Sequence, residues 1–173
     1  ALALPYEEGA LDFVWCAQSL YSLPDPAVVL KEIFRVLRPG GKAAILENDT
    51  LHHLLMPWPV ELEIDLRRAE YQAYGDDGDD PRRFYVARNL LRLFNRAGFE
   101  GTVVKTYVHN RQPPFSEDEL VFFEWYFSNL RERIVPFLPP RLLEGFDRLV
   151  DRRSASCFLH SEHTMISCID HVV

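Results

Sequence analysis

Cysteine, glycine, positive charge and long apolar runs are all scarce in this sequence. Its three cysteines, Cys16, Cys157 and Cys168, form an odd, widely spaced set that favours reduced thiols in a reducing compartment over a disulfide framework. No apolar run reaches the roughly 18 residues of a membrane-spanning helix, and the first residues lack the cationic start of a signal peptide. These absences exclude a disulfide-stabilised miniprotein, indicate no membrane partner and predict a cytoplasmic location.

Positive charge is outnumbered by negative charge. Lysine and arginine total 19 against 26 aspartate and glutamate residues, which gives a net charge of -7 and an isoelectric point near 5.4. Binding along a nucleic-acid backbone needs many cationic contacts, so a nucleic-acid partner is disfavoured except at a local basic patch. Of the 173 residues, 47% are apolar and 26% are charged, which is typical of a globular chain that buries a sizeable core.

The first fifty residues predict a strand, a helix and a second strand. A nearly continuous apolar run at 11–17 is typical of a parallel strand that is covered on both faces. Asp25 can cap a helix that has Pro26 in its first position, and the glycine pair at 40–41 is expected to end it. A short apolar strand follows at 42–46. Such a strand-helix-strand unit is the building block of doubly wound α/β domains.

Helical spacing of apolar residues dominates the rest of the chain. A capping box of Ser116 and Glu119 marks the start of the longest helix. The predicted elements are a helix with Leu62, Leu66, Ala69 and Ala73 on one face, a breaker loop at 75–80, a helix with Ala87, Leu90, Leu91 and Phe94 that is closed by Gly98, a strand at 102–108, a helix from 117 to about 134, a short helix around 142–149, and a strand at 164–173.

Three stretches near the start carry motifs with a fixed spacing: residues 1–14 (ALALPYEEGALDFV), 20–26 (LYSLPDP) and 35–42 (RVLRPGGK). The last of these alone is a helix-ending turn that many folds use. In this order and spacing the three stretches resemble the second half of the catalytic domain of class I S-adenosylmethionine-dependent methyltransferases, the small-molecule branch that includes ubiquinone and menaquinone biosynthesis enzymes. Residues 92–99 (RLFNRAGF) resemble the family's later helix and its turn into the sixth strand, with 164–173 as a seventh.

The resemblance implies an α/β fold of the Rossmann-like, seven-stranded type. The family's glycine-rich cofactor loop has no counterpart, since the sequence has 8 glycines and no Gly-x-Gly triplet. The chain is therefore expected to be the C-terminal part of one methyltransferase domain, 1–173, lacking the N-terminal strands. The missing half would be disordered, cleaved or supplied by another chain. Helical inserts at 48–83 and 110–163 are expected to cover the active site.

By resemblance, S-adenosylmethionine would be the methyl donor and a small molecule the acceptor. Ligands of open α/β sheets lie outside the carboxyl ends of the strands, and an aromatic face can stabilise a sulfonium charge. Strand core and simple packing are the alternatives for the cofactor candidates. These candidates are Ala1 and Leu2 beside the adenine, Cys16, Ala17 and Gln18 at the methionine end, and Tyr21 towards the sulfonium; Glu47, Asn48 and Asp49 follow the next strand. No general base stands out.

Acceptor-site candidates lie in the segments that would cover the cofactor mouth. If the apolar helix at 120–127 is a lid, it favours a small apolar or aromatic acceptor; a dimer contact and simple burial are the alternatives. The two tryptophans among the candidates could instead fill the helical layer, and the two histidines could be ordinary loop residues. The candidates are His52, His53, Trp58, Tyr85 and Trp125.

Other clusters and functions are weaker hypotheses. Cys157, His160, His163 and Cys168 lack the tight hairpin of a structural zinc site, and the aspartates at 76–80 lack a calcium-binding loop, so no metal is predicted. Arg88, Arg92 and Arg96 are interpreted as a solvated helix face. The alternative function is a non-catalytic binding or scaffold module that keeps the methyltransferase fold. A homodimer, or pairing with a missing N-terminal segment, is the partner hypothesis.

Overall fold

The computed structural model describes residues 3–49, 54–76 and 85–173. The chain divides into two compact units. The first, here called the sheet unit, comprises Ala1–His53, Arg82–Val108 and Ile169–Val173. The second, the helical unit, comprises Leu54–Pro81 and His109–Cys168.

Strands and helices alternate at first and helices then prevail, as the sequence predicts. The described residues form β1 (Leu11–Ala17), α1 (Pro26–Val36), β2 (Leu37–Asn48), α2 (Val60–Asp76), α3 (Val86–Ala97), β3 (Lys105–Arg111), α4 (Glu117–Ile134), α5 (Pro140–Val150) and β4 (Ile166–Val172), with short 3-10 turns at Leu20–Ser22 and Phe158–His160.

The sheet unit is built around the predicted strand-helix-strand crossover. The sheet order is β1-β2-β4-β3; β1 and β2 are parallel, with Cys16 opposite Ile45, and β4 is antiparallel to β2. Helix α1 begins where expected, because the side chain of Asp25 accepts hydrogen bonds from the backbone N–H groups of Ala27 and Val28. The core of this unit contains Leu20, Val29, Leu30, Ile33, Leu37, Ile45, Val86, Leu90, Phe94 and Val173.

The boundary between α1 and β2 differs from the prediction. The helix ends at Val36, and the next strand begins at once, so the glycine pair lies inside β2 instead of ending α1. A Cβ at Gly41 would lie 2.9 Å from the carbonyl oxygen of Arg38 and 3.2 Å from that of Asp12, and Gly40 has φ +77. The two glycines therefore allow the register irregularity of β2 and a close approach to β1.

Strand β3 also lies further along the chain than predicted, at Lys105–Arg111 in place of 102–108. The apolar pair Val103 and Val104 suggested a strand, but it precedes the hydrogen-bonded ladder. All seven residues of β3 are exposed, and the strand is at the end of the sheet order. Apolar patterning is a poor guide to such an edge strand, because neither of its faces is buried.

The helical unit has a separate core in which the predicted stripes meet. Apolar side chains of α2 and α4 pack there with α5, and the capping box forms: the backbone N–H of Ser116 donates to Glu119 Oε2 (2.8 Å) and that of Glu119 donates to Ser116 Oγ (3.3 Å). Glu63 and Arg67, four residues apart on α2, form an ion pair at 2.8 Å. The core includes Trp58, Leu62, Leu66, Ala69, Phe123, Phe127, Leu130, Ile134 and Phe146.

One face of β1 is bare. Val14 and Cys16 pack against the core that α1 and α3 share. Alternation along the strand places Phe13 and Trp15 on the other face, where they are 55% and 53% exposed. We call this surface the open face. Parallel strands are normally covered on both faces, so the open face is an apolar surface that the described residues leave uncovered.

Candidate functional site

The carboxyl ends of β1 and β2 lie side by side and form the candidate site. Ala17 is opposite Leu46 at the end of the parallel register, and the backbone N–H of Gln18 donates to the carbonyl oxygen of Leu46 (2.7 Å). The predicted cofactor residues at the end of β1 are thereby brought next to Glu47 and Asn48 at the end of β2. Ala17 and Gln18 are exposed, while Cys16 is half-buried, so a ligand can reach this edge.

A strained turn follows β1. Gln18 has φ 47, a left-handed conformation that costs a non-glycine residue about 1 to 3 kcal/mol. Ser19 Oγ donates to the carbonyl oxygen of Ala17 (2.8 Å), and Ser22 Oγ donates to that of Ser19 (2.8 Å). Leu20 is fully buried and anchors the turn in the core. The chain therefore leaves the sheet along one fixed path.

Glu47 lies beneath this turn and is completely buried. Its Oε1 accepts hydrogen bonds from the backbone N–H groups of Ser19 (2.8 Å) and Leu20 (2.6 Å). Burial raises the pKa of this carboxyl, and the two N–H donors oppose that rise. Burial also raises the pKa of the Cys16 thiol, to which the nearby Glu47 adds. The sequence predicted only that Glu47 follows the end of a strand, and its burial was missed. The signal that could have indicated this burial is an acidic residue at the end of an apolar strand.

An ion pair lies after β2. Asp49 Oδ2 accepts from Arg88 Nε at 2.7 Å and lies 2.6 Å from Arg88 Nη2. The guanidinium of Arg88 is also 4.9 Å from the centre of the Tyr85 ring. Arg88 is itself 42% exposed, in keeping with the predicted solvated face, and it also pairs with a carboxylate that is only 9% exposed. Arg92 and Arg96 are exposed.

The two remaining candidates that the structure describes in the sheet unit are Tyr21, in the turn after β1, and Tyr85, beside the ion pair. Tyr21 belongs to the 3-10 turn Leu20–Ser22 and packs, half-buried, against the core, as its packing alternative expects. Tyr85 lies next to Arg88, and its carbonyl oxygen accepts from Asn89 Nδ2 (2.9 Å). A role of either ring towards a ligand stays a prediction. Four further candidates, Ala1, Leu2, His52 and His53, lie outside the described residues.

The two tryptophan candidates belong to the helical unit and have opposite environments. Trp58 is 9% exposed and stacks on Phe146 with ring centres 5.6 Å apart. Its ring also meets Phe127 and Phe158 edge-on. Trp58 is therefore a core side chain, as its alternative of filling the helical layer predicts, and a role at the acceptor site stays a prediction. Trp125 is 62% exposed, so it does not fill the helical layer.

Helix α4 is buried on one side only. Phe123 and Phe127 are 2% and 3% exposed, whereas Val121, Phe122 and Trp125 are 55%, 41% and 62% exposed. Burial in the core therefore accounts for the apolar residues on one side of α4. The apolar residues on its other side form an exposed strip.

Metal-binding clusters and membrane-spanning helices are both absent from the described residues. No group of three or more His, Cys, Asp or Glu side chains is arranged there to hold a metal ion. His160, one of the residues with loose zinc-like spacing, instead places Nε2 2.7 Å from the carbonyl oxygen of Arg152. Within the same residues, every helix is too short or too polar to cross a bilayer.

Known proteins resemble the chain in its sequence. A sequence model of the family described as "Methyltransferase domain" matches residues 1–45. The demethylmenaquinone methyltransferase of Lactococcus lactis subsp. lactis (strain IL1403) is 36% identical over 112 residues, which cover 57% of this chain and 42% of that protein. The 27-O-demethylrifamycin SV methyltransferase of Amycolatopsis mediterranei (strain S699) is 41% identical over 68 residues, which cover 39% of this chain and 23% of that protein. The chain thus spans less than half the length of these relatives.

The fold has a solved counterpart as well. The crystal structure of a candidate methyltransferase from Bacillus halodurans C-125 superposes with a TM-score of 0.51 at 12% identity, covering 99% of this chain and 71% of that chain. At this identity the likeness concerns the fold alone. The α/β fold is therefore the Rossmann-like fold of methyltransferases, and the predicted resemblance of the chain to the class I S-adenosylmethionine-dependent methyltransferases is confirmed.

Proposed function

We propose that the gene product containing this chain is an S-adenosylmethionine-dependent methyltransferase that acts on a small-molecule acceptor. The observation that carries the proposal is the edge where β1 and β2 end together, with exposed Ala17 and Gln18 next to a strained turn. Ligands of open α/β sheets bind at such carboxyl edges. The motif resemblance and the match of residues 1–45 to the methyltransferase family support this ligand in preference to a nicotinamide cofactor.

The residues of this edge fit the methionine end of the cofactor. S-adenosylmethionine, when bound, supplies an electrophilic methyl group on a sulfonium. The small side chain of Ala17 leaves room for close approach, and Gln18 offers an exposed amide at the point where the chain turns out of the sheet. Tyr21 offers an aromatic ring, a group that stabilises a nearby cation. These residues bind and orient, which for a transfer between two aligned reactants can be worth roughly 7 to 11 kcal/mol.

The acceptor is proposed to be small and apolar or aromatic. The names of the relatives, a demethylmenaquinone and a 27-O-demethylrifamycin SV methyltransferase, support a small molecule over a macromolecule. In the sheet unit the supporting feature is the ring of Tyr85 beside the ion pair of Asp49 and Arg88. The exposed strip of α4 with Trp125 is a separate apolar surface of the helical unit. We also propose that the helical segments at 48–83 and 110–163 cover the site.

Two further parts of the proposal concern partners and place. The open face of Phe13 and Trp15 is an apolar surface that would be covered by an N-terminal segment of the same domain or by a second copy of the chain. We propose a cytoplasmic location, which the three half-buried or buried free cysteines support because free thiols suit a reducing compartment.

Calorimetric titration of the full gene product with S-adenosylmethionine, and with its demethylated product, tests the function. We expect saturable heat with both ligands, and methyl transfer to a small aromatic or apolar acceptor. Arg96→Ala, on the exposed side of α3, is the control that should bind as the unaltered protein does. Absence of heat with both ligands would support the non-catalytic scaffold instead.

A further inference from the structure

The carboxyl of Glu47 is in an unusual position for an acidic side chain. It is 0% exposed at the edge of the sheet where β1 and β2 end. Its two hydrogen-bond donors, the backbone N–H groups of Ser19 (2.8 Å) and Leu20 (2.6 Å), converge on one oxygen, Oε1. Buried carboxylates are rare unless they are paired. An apolar side chain at this position could not accept the two hydrogen bonds that Glu47 accepts.

The second oxygen, Oε2, adds to this argument. It is buried and has no hydrogen-bond partner among the described residues. Full use of a carboxyl group would satisfy both oxygens, since an unpaired buried acceptor is costly. The cost of leaving Oε2 buried without a partner is therefore offset by the two hydrogen bonds that Oε1 accepts. What these bonds fix is the path of residues 19 and 20.

The turn itself requires such fixation. Gln18 lies immediately before the two donors and has φ 47, a conformation that non-glycine residues keep only where their surroundings impose it. Three restraints surround it: its own N–H bonds to Leu46, Ser19 Oγ bonds to Ala17, and Glu47 holds the next two N–H groups. Only the last restraint comes from a side chain of another element.

We propose that Glu47 is a positioning residue for the cofactor site: its Oε1 holds the turn after β1 so that Ala17 and Gln18 present their backbone and side chains to the ligand at the sheet edge. This rests on the proposed function, because it assumes that S-adenosylmethionine binds there. The turn is held by the acceptor oxygen at this distance, and the negative charge is not required.

Two substitutions of Glu47 distinguish the effect of its side-chain length from the effect of its charge. Glu47→Gln keeps a carbonyl oxygen at the same distance and removes the charge, whereas Glu47→Asp keeps the charge and withdraws the oxygen by one methylene. In the full gene product we expect the Kd for S-adenosylmethionine, measured by calorimetry, to rise less than about threefold for E47Q and at least about tenfold for E47D. Backbone N–H exchange at Ser19 and Leu20, measured without ligand, should accelerate in E47D and stay slow in E47Q.

Ser116→Ala is the matched control, because it removes the capping box of α4 in the helical unit and lowers stability without touching the turn. Its Kd should stay within about twofold of the unaltered protein. The inference is overturned if E47D binds as tightly as the unaltered protein, or if E47Q and E47D weaken binding equally. No heat from the unaltered protein would instead overturn the proposed function. The exchange rates at Ser19 and Leu20 would still show whether Glu47 holds the turn after β1.

Discussion

Trp58 and Trp125 are both acceptor-site candidates in the sequence, although Trp58 lies between two prolines just before α2 and Trp125 lies in the aromatic first half of α4. Their burial differs: Trp58 is 9% exposed among phenylalanine rings, and Trp125 is 62% exposed. Period and composition cannot make this distinction, because the segment around Trp125 is apolar on nearly all sides. The side that faces the core is decided by the neighbouring helices.

Truncation of the two rings should therefore have very different effects. Trp58→Ala removes a ring packed against three phenylalanines and should lower the free energy of unfolding by about 3 to 5 kcal/mol. Trp125→Ala should change it by no more than about 0.5 kcal/mol. Urea denaturation followed by circular dichroism measures both. Equal effects would contradict the placement of Trp58 in the core.

The buried carboxyl of Glu47 should leave a mark on the pH dependence of stability. Its pKa in the folded protein is raised above the ordinary value of 4.5 by burial, so the folded state holds the proton more tightly than the unfolded state. The resulting stability is fully present below about pH 4.5 and is lost as the pH rises through the folded pKa.

Glu47→Gln removes this titration. The difference in unfolding free energy between the unaltered protein and E47Q should therefore shift against the unaltered protein as the pH rises above about 4.5. Denaturant titrations at a series of pH values measure the difference. A difference that grows in favour of the unaltered protein over this range would show that Glu47 prefers to be charged.

At the scale of elements, the sequence predicted most helices and strands because their signals are local. Asp25 before Pro26, and Ser116 three residues before Glu119, are caps whose chemistry is complete within one turn. The start of β2 was misplaced, because Gly40 and Gly41 end helices as readily as they permit a close approach between strands. The contact of Gly41 with Asp12, 29 residues earlier in the chain, decides between these uses, and no local pattern records it.

The glycines of β2 and of α5 should respond oppositely to alanine. A Cβ at Gly41 would lie 2.9 Å from the backbone oxygen of Arg38, so Gly41→Ala forces backbone atoms apart and should destabilise the protein. Gly145, inside α5, has nothing within 4 Å of such a Cβ. Gly145→Ala should therefore stabilise the protein by about 0.5 to 1 kcal/mol. Thermal unfolding of the two variants compares them, and a stabilised G41A would refute the close approach.

At the scale of the whole molecule, the family resemblance and the sheet edge could be predicted from the sequence, but the supports of the site could not. Strand ends and spaced motifs led to Cys16, Ala17 and Gln18. The bonds from Ser19 and Leu20 to Glu47 join residues 28 and 27 positions apart, and the pair of Asp49 and Arg88 joins residues 39 apart. Such partners become visible only when the chain has folded.

The open face is an apolar surface that we propose to be covered in the full gene product. In this chain Trp15 is 53% exposed. A lysine at this position would therefore keep its charge in water and would destabilise this chain only slightly. If the face is covered in the full gene product, Trp15→Lys buries a charge there and should lower the unfolding free energy by well over about 1 kcal/mol.

Val60→Lys is the matched control for this substitution, because Val60 is 74% exposed at the first position of α2. It should change the stability of the full gene product by no more than about 0.5 kcal/mol. If Trp15→Lys is equally mild in denaturant titrations, the face is solvent-exposed in the complete protein, and the proposal that another segment or a second copy covers it fails. A large cost for Trp15→Lys alone would instead mark β1 as a strand that needs a neighbour on its bare side, as buried parallel strands do.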